Sequence, residues 1–225
     1  MSQYPLIGFR GARTVVEVGS ATFGGGGFPV IAGPCAVESI AQITETAEAV
    51  AGLGADLLRG GAFKPRTSPY TFQGLGEEGL SMLVEAGRRV GLGVVSEVLS
   101  PEDIPLVASS VDMIQIGSRN MTNFSLLKAV GKTNLPILLK RGYMSTVEET
   151  LLAAEHIAAK GNDRIILCER GIRAFDTSLR FTYDLAGALL LREQSRLPVI
   201  GDPSHATGCT HLVEPLAIAS QAAGL

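Results

Sequence analysis

A short stretch early in the chain concentrates residue types that bind anions. Positions 59–68 read R-G-G-A-F-K-P-R-T-S and offer three cations and two hydroxyls. Arginine presents a planar fork of donors to phosphate or carboxylate oxygens, lysine a point charge, and threonine and serine neutral donors. Pro65 and Pro69 restrict the backbone around them, which favours a loop that is stiff before a ligand arrives. The stretch predicts a binding loop for small anions, and a solvated basic loop is the plainer alternative.

Polar side chains also follow each of seven short apolar runs along the chain. They are Cys35, Arg59, Glu97, Arg119, Lys140, Arg170 and His205. A helical pattern follows each run, so the sequence predicts seven strand-then-helix units with parallel strands and right-handed crossovers. In a barrel the carboxyl ends of such strands share one face, where catalytic groups gather. We therefore expect these side chains to converge on one mouth.

The predicted fold is an α/β (β/α)8 TIM barrel with an N-terminal β-hairpin. Residues 14–23 have the pattern of two short strands joined by Gly19-Ser20, and four glycines follow at 24–27. This predicts an extension over residues 1–29 and a barrel catalytic domain over residues 30–225. The count of units is one short of eight, and Leu225 stands where an eighth strand is expected. A doubly wound open sheet is the alternative.

Capping signals predict several helix boundaries. Ser39 with Gln42, and Ser145 with Glu148, have the spacing of capping boxes. Periodicity predicts a further helix over about 179–193 and a last helix from about Cys209 onward.

Composition limits the classes of function. The chain has 225 residues, of which 46% are hydrophobic and 18% charged, so disorder is excluded. Its net charge of −3 argues against nucleic acid as a partner. No apolar run approaches the roughly 20 residues of a membrane span, and the N-terminal residues lack the pattern of a signal peptide. Three cysteines without framework spacing predict a cytoplasmic protein.

The predicted mouth would carry six cations. They are Arg59, Lys64, Arg66, Arg119, Lys140 and Arg170. Two like charges 4 Å apart near a protein surface repel by about 4 kcal/mol, so such crowding requires bound anions. A phosphate brings a charge of roughly −1.5 to −2, and six cations therefore suit two phosphorylated small molecules.

Cys35 and His205 come from the first and seventh strands, which flank the missing eighth in a barrel. A thiolate with an imidazole suits Zn, Fe, Co or Mn, but needs one or two further ligands. Asp202 and Glu97 are the nearby candidates. The alternative is a cysteine nucleophile activated by a histidine base, but the sequence shows no third group that would orient the histidine.

Six segments together resemble one enzyme family. They are G-P-C-A-V-E at 33–38, L-R-G-G-A-F-K-P-R-T-S-P at 58–69, I-Q-I-G-S-R-N at 114–120, L-L-K-R-G at 138–142, I-L-C-E-R-G-I-R at 166–173 and D-P-S-H-A-T-G at 202–208. They resemble 3-deoxy-D-arabino-heptulosonate 7-phosphate (DAHP) synthases of the type I beta branch, in the short form without a regulatory domain. The resemblance covers about residues 28–225.

The resemblance implies a metal-dependent transferase with two phosphorylated substrates. Such enzymes condense phosphoenolpyruvate with erythrose 4-phosphate and water to give DAHP and phosphate, the first step of the shikimate pathway to aromatic amino acids. It also implies a divalent metal ion (Mn, Zn, Fe or Co) and a homodimer or homotetramer. Feedback control through an added domain is not expected.

The resemblance also assigns roles to individual residues. Arg59, Lys64, Arg119, Lys140 and Arg170 would hold phosphoenolpyruvate. Lys64, Pro65, Arg66, Thr67 and Ser68 would face erythrose 4-phosphate, with Arg66 and Thr67 on its phosphate. Cys35 and His205 would be two of four metal ligands, and the other two, a Glu and an Asp, would lie beyond Leu225. We do not assign Asp202 or Glu97 as replacements.

Three groups are expected to take part in the chemistry. Lys64, crowded by arginines, is the candidate proton donor to the new alkoxide. Glu97 is the candidate for steering the water, and His205 acts through the metal, which polarises the aldehyde.

Two other functions compete with this interpretation. A 3-deoxy-D-manno-octulosonate 8-phosphate synthase uses arabinose 5-phosphate, and that group typically shows K-A-N-R-S where this chain has K-P-R-T-S at 64–68. The motif favours the four-carbon sugar. A non-catalytic anion-binding scaffold is the second alternative, because the two further ligands are missing.

Overall fold

The computed structural model describes residues 3–225 and contains a two-stranded and a seven-stranded sheet. The first two residues of the predicted N-terminal extension lie outside this range. Strands β1 (Val16–Val18) and β2 (Ala21–Phe23) pair antiparallel as a hairpin. The larger sheet contains β3 (Ile31–Ala32), β4 (Leu57–Arg59), β5 (Gly93–Glu97), β6 (Met113–Ile116), β7 (Ile137–Lys140), β8 (Ile165–Glu169) and β9 (Val199–Gly201). All its neighbouring strands are parallel.

Helices follow the strands of the larger sheet. They are α1 (Ile40–Gly52), α2 (Gly76–Val90), α3 (Ile104–Ala108), α4 (Phe124–Val130), α5 (Val147–Ala158), α6 (Leu185–Gln194), α7 (Pro203–Thr207) and α8 (Val213–Ala222). The strands stand in chain order from β3 to β9. A doubly wound sheet reverses its strand order at a switch point, so this sequential order excludes that alternative.

The alternation of side chains along each strand divides the core in two. Leu58, Ile114, Leu139 and Leu167 belong to a cluster packed between the sheet and the helices. Their neighbours in the chain belong to a second cluster on the inner face, which contains Ile31, Leu57, Val95, Met113, Leu138, Ile166, Cys168 and Ile200. The period of two in a strand thus fixes which residues point into the curled sheet.

The hairpin closes the amino-terminal end of that inner face. Its buried residues Val16, Val18, Ala21 and Phe23 join the inner cluster. Gly19, in its turn, lies next to Leu57 and Gly93, the first residues of β4 and β5. The opposite end, where the strands finish, is therefore the end left for a site.

The sheet leaves a seam between its two edge strands. Among the described residues, β3 pairs only with β4 and β9 only with β8. A cavity of about 970 Å³ opens along this seam and extends to Cys35, Arg59, Lys140 and His205. Within residues 3–225, no helix is long and apolar enough to cross a membrane.

The predicted hairpin and the seven parallel units are confirmed, whereas several helix boundaries were wrong. The capping box of α5 is formed by Thr146 and Glu149, one residue later than predicted. Helix α6 starts at Leu185, because residues before it form a loop in which Ile172 bridges to Thr182. The predicted last helix is divided into a 3-10 turn over Thr210–Leu212 and α8, and the short helix α7 before it was not predicted.

Candidate active site

The inner face of the sheet ends in a ring of polar side chains. Arg59, Glu97, Gln115 and Lys140 each follow an inner-cluster residue by two positions, so strand alternation points them to the same side. Glu97, Gln115 and Lys140 are buried. The predicted convergence of strand ends is therefore found for Arg59, Glu97 and Lys140, and Gln115 joins them without having been predicted.

Cys35, Lys64 and His205 lie together at one side of the ring. Lys64 Nζ donates to the Cys35 carbonyl at 2.7 Å and lies 3.4 Å from its Sγ. A hydrogen bond from His205 and the charges of Lys64 and Arg59 lower the pKa of the Cys35 thiol to about 5, against the effect of burial. A β-carbon at Gly61 would come within 2.8 Å of Lys64 Nζ, so glycine makes room for this lysine to fold back. The lysine's own pKa is lowered by burial.

Asp202 connects His205 to Lys140. Its Oδ2 accepts from Lys140 Nζ at 2.6 Å and lies 2.7 Å from His205 Nδ1, while Oδ1 accepts from the His205 amide at 3.1 Å. Burial alone would raise the pKa of Asp202, but the Lys140 charge and the His205 hydrogen bond hold it well below its usual value. With Nδ1 engaged by the carboxylate, Nε2 is the imidazole nitrogen left to face Cys35 or a ligand.

Glu97 is the buried carboxyl of the ring. Gln115 Nε2 donates to its Oε2 at 3.3 Å, and a β-carbon at Gly117 would overlap its Oε1. Burial raises the pKa of Glu97, and the charges of Lys64, Lys140 and Arg59 oppose that rise. The carboxyl is therefore held among the predicted binding cations.

Two arginines bring buried donors that have no hydrogen-bond partner within the described part of the chain. Arg59 Nη1 donates to the Pro34 carbonyl at 3.0 Å, whereas its Nε is unpaired. Arg170 stacks on the Phe181 ring at 4.6 Å, and its Nη1 is also unpaired among the described residues. Leaving a buried donor without a hydrogen bond costs about 1–3 kcal/mol of stability. An anion that accepts from these two nitrogens would remove that cost.

Beyond the buried Lys64, the predicted sugar-phosphate segment lies outside this buried group. Arg66 and Thr67 are exposed, and Arg66 Nε donates to the Phe72 carbonyl at 3.2 Å. Ser68 organises a turn, with its carbonyl accepting from Thr71 and Gln73. Arg119 is exposed as well and reaches the Pro65 carbonyl at 3.4 Å, which links the end of β6 to this segment.

The donor set for a metal is present only in part. Cys35 and His205 are hydrogen-bonded neighbours, and a low-pKa thiolate beside an imidazole whose orientation is fixed fits two positions of a divalent-metal site. Across residues 3–225, no group of three or more His, Cys, Asp or Glu residues could hold a metal ion. Asp202, one candidate from the sequence, is committed to Lys140 and His205.

Three residues that the sequence did not assign belong to this region. Asp202 was considered only as a ligand, yet it positions His205 and Lys140. Arg141 pairs with Glu169 behind the ring, and Arg180 lines the cavity above it. Because alternate residues of a strand point to opposite faces, the sequence could have shown that Arg141 lies behind the sheet while Lys140 lies in the ring. No sequence signal marks Arg180.

The sequence model described as the DAHP synthetase I family matches residues 13–225. The chain belongs to this family. Its sequence is 50% identical over 226 aligned residues to the phospho-2-dehydro-3-deoxyheptonate aldolase of Thermotoga maritima, covering 100% of this chain and 67% of that protein. The predicted family is thereby confirmed.

Solved structures show that the fold is also that of the family. The crystal structure of the phospho-2-dehydro-3-deoxyheptonate aldolase (DAHP synthase) of Thermotoga maritima superposes with a TM-score of 0.95 at 50% identity, covering 100% of this chain and 66% of that one. A truncated form of 3-deoxy-D-arabino-heptulosonate 7-phosphate synthase from the same organism gives 0.91 at 47% identity. This DAHP synthetase I family chain thus spans about two thirds of the Thermotoga aldolase and 82% of the truncated form.

More distant relatives carry the name of the competing activity. A 2-dehydro-3-deoxyphosphooctonate aldolase of Magnetococcus marinus is 33% identical over 78% of this chain and 63% of that protein. This chain is therefore more similar to the Thermotoga phospho-2-dehydro-3-deoxyheptonate aldolase, in both identity and coverage, than to the octonate aldolase.

Proposed function

We propose that this chain carries the catalytic face of a DAHP synthase, which condenses phosphoenolpyruvate with erythrose 4-phosphate and releases phosphate. The observation that carries the proposal is the buried ring in which Arg59 and Arg170 present unpaired donors beside Lys64 and Lys140. The 50% identity to a protein of that name agrees with it. Anions with both carboxylate and phosphate groups are the ligands such a ring accepts.

In this proposal the cations divide between the two substrates. Arg59, Lys140 and Arg170 hold the carboxylate and phosphate of phosphoenolpyruvate from the inner face. Lys64 stands between that site and segment 65–68, where the exposed Arg66 and Thr67 and the half-buried Ser68 receive the sugar phosphate. Arg119 already contacts Pro65, so it connects the two subsites.

Lys64 and Glu97 handle the protons and the water. Burial lowers the pKa of Lys64, which makes its ammonium a better donor to the alkoxide formed when the new carbon–carbon bond closes. Glu97 faces the same space and, hydrogen-bonded by Gln115, orients the water that adds to the former enol carbon. A divalent cation held by Cys35 and His205 would supply Lewis-acid polarisation of the aldehyde.

Phosphate release by the purified chain tests this function. With manganese and phosphoenolpyruvate present, we expect turnover with erythrose 4-phosphate to exceed turnover with arabinose 5-phosphate, and Lys64→Ala to abolish it. Lys128→Ala, on the exposed side of α4, is the matched control.

Each outcome of that assay points to one function. Preference for arabinose 5-phosphate would identify the octulosonate activity instead. Binding of phosphoenolpyruvate without phosphate release, with metal present, would identify a non-catalytic anion-binding scaffold. Turnover that is unchanged in Lys64→Ala would remove Lys64 from the chemistry.

The proposal also includes a cellular compartment and an oligomeric state. The three cysteines are free, which agrees with a reducing cytoplasm. A homodimer or homotetramer is proposed from the family resemblance alone.

A further inference from the structure

A second charged cluster lies directly behind the candidate site. Arg141 Nη1 donates to Glu169 Oε2 at 2.9 Å and to Asp184 Oδ2 at 2.7 Å, and Arg141 Nε donates to the Ser145 carbonyl at 3.0 Å. The side chains of Arg141 and Glu169 are 6% and 0% exposed. We call Arg141, Glu169 and Asp184 the rear cluster.

Strand alternation places Arg141 and Glu169 on the opposite side of the sheet from the ring, and Asp184 joins them from the start of α6. Leu139 and Leu167 face the helices, so Arg141 and Glu169, two positions further along, continue on that side. Lys140 and Arg170 are their immediate chain neighbours and belong to the inner side. Arg141 and Glu169 are thus each one residue away from a cation of the ring.

The rear cluster joins three segments at the point where the strands end. The Arg141 amide donates to the Cys168 carbonyl at 2.9 Å, a backbone link from the end of β7 to β8. Glu169 Oε1 accepts from the Gly171 amide at 2.6 Å, which fixes the backbone just after Arg170. Asp184 caps α6 by accepting from the Gly187 amide at 2.8 Å. One guanidinium therefore ties the exits of β7 and β8 to the start of α6.

We propose that the rear cluster is a positioning device, which sets the direction in which Lys140 and Arg170 present their charges to phosphoenolpyruvate without itself touching that substrate. This inference rests on the proposed function. A planar guanidinium that holds two carboxylates and a carbonyl at once allows little rotation, so the backbone beside each ring cation is fixed before a ligand arrives. Burial raises the pKa of Glu169, and the charge of Arg141 opposes this rise. The ionised form of Glu169 therefore depends on Arg141 staying in contact with it.

Direct binding of phosphoenolpyruvate, measured by isothermal titration calorimetry, tests the proposal without relying on turnover. Asp184→Asn keeps an acceptor for the α6 cap but removes one ionic partner of Arg141. We expect it to raise the Kd for phosphoenolpyruvate about tenfold, within the range by which networked residues couple. Asp163→Asn is the matched control, because Asp163 pairs with Arg196 at 3.0 Å on the surface, and its Kd should stay unchanged.

A double substitution separates positioning from general stability. If the cluster acts through the ring cations, the effect of Asp184→Asn on the Kd should shrink to less than about threefold in Lys140→Met, in Arg170→Met or in both. An effect that stays as large as in the unaltered chain in both backgrounds, or an unchanged Kd in Asp184→Asn, would overturn the inference. Failure of the unaltered chain to bind phosphoenolpyruvate would overturn the proposed function, and the inference with it.

Variants that do not fold are also decisive. Glu169→Gln and Arg141→Lys carry the same calorimetric measurement if Asp184→Asn loses its circular dichroism spectrum. If all three unfold while Asp163→Asn stays folded, the cluster holds the fold together and does not set the direction of the ring cations.

Discussion

At the scale of single residues, the neighbours of the exposed Cys35 set its thiol apart from the buried Cys168 and the half-buried Cys209. His205, Lys64 and Arg59 together lower its pKa to about 5. Cys168, which lies in the inner cluster, has its pKa raised to about 12, first of all by burial. The same residue type is therefore a thiolate in one place and an inert apolar side chain in the other.

This contrast predicts selective alkylation. In metal-free protein, iodoacetamide should modify Cys35 with a pH midpoint near 5, while Cys168 stays unmodified in the folded state. In His205→Ala the midpoint should move to higher pH, because the largest stabilising contact of the thiolate is lost. Peptide mass spectrometry across a pH series provides the measurement. A Cys35 profile centred near the ordinary thiol value of about 8.5 would contradict the arrangement.

Asp202 gives a pH dependence of stability whose sign follows from its lowered pKa. Its folded-state pKa lies below the unfolded value of about 3.9, so its contribution to stability is present above that pH and is lost as the pH falls toward the folded value. Asp202→Asn leaves Lys140 buried without its anion and should lower the free energy of unfolding at pH 7 by about 3 kcal/mol. The difference from the unaltered chain should shrink below about pH 4.

Urea unfolding followed by circular dichroism at pH 7 and at acid pH would show this. Asp163→Asn, which removes an exposed partner, should cost less than about 1 kcal/mol at either pH. A deficit of Asp202→Asn that persists unchanged in acid would mean that Asp202 is not ionised through its contacts.

At the scale of elements, the hairpin is a structural part of the inner core. Phe23 is 1% exposed and belongs to the same cluster as Leu57 and Ile166. A short two-stranded ribbon is marginal on its own, so its stability depends on this packing. In return, it keeps water from the amino-terminal end of the inner face.

Phe23→Ala should therefore destabilise the whole sheet and not the hairpin alone. We expect a loss of about 3–5 kcal/mol in the free energy of unfolding, from lost burial and the cavity left behind. Thr22→Ala, on the exposed side of β2, should stay within about 0.5 kcal/mol. If both substitutions had the same small effect in urea unfolding, the hairpin would be only loosely attached.

The elements also show why sequence reasoning succeeded in some places and failed in others. Strands such as β7 are recognisable because a buried apolar run ends abruptly at Lys140. The start of α6 was missed because Phe181, four residues before Leu185, extends the helical spacing, although Phe181 instead stacks with Tyr143 and Arg170. Tertiary contacts decided that boundary, and no local signal records them.

The same distinction applies to the site. The residue types at strand ends predicted the ring, since strand alternation and parallel order are properties of the chain itself. The buried pairing of Arg141 with Glu169 joins residues far apart in sequence and depends on the exact register of β7 and β8. The roles of Arg66 and Thr67, on an exposed turn, stay predictions until a ligand is bound.

At the scale of the whole molecule, the order of the strands sets a gradient of stability across the sheet. Strands β6 and β7 are hydrogen-bonded on both sides, whereas β3 and β9 each have one neighbour among the described residues. The seam between those two strands also opens to the cavity of about 970 Å³. Local opening costs least where fewest ladder bonds and apolar contacts must be broken.

Hydrogen exchange should therefore divide the sheet into a slow centre and fast edges. Amides of β6 and β7 should exchange only through global unfolding, and those of β3 and β9 through smaller openings that are less sensitive to urea. Phosphoenolpyruvate should slow exchange around Arg59 and Lys140 if it bridges the ring, because a ligand that binds only the folded site adds to the cost of opening it. Uniform protection from β3 to β9 would mean that the seam is closed in solution and that Cys35 and His205 are held as firmly as the central strands.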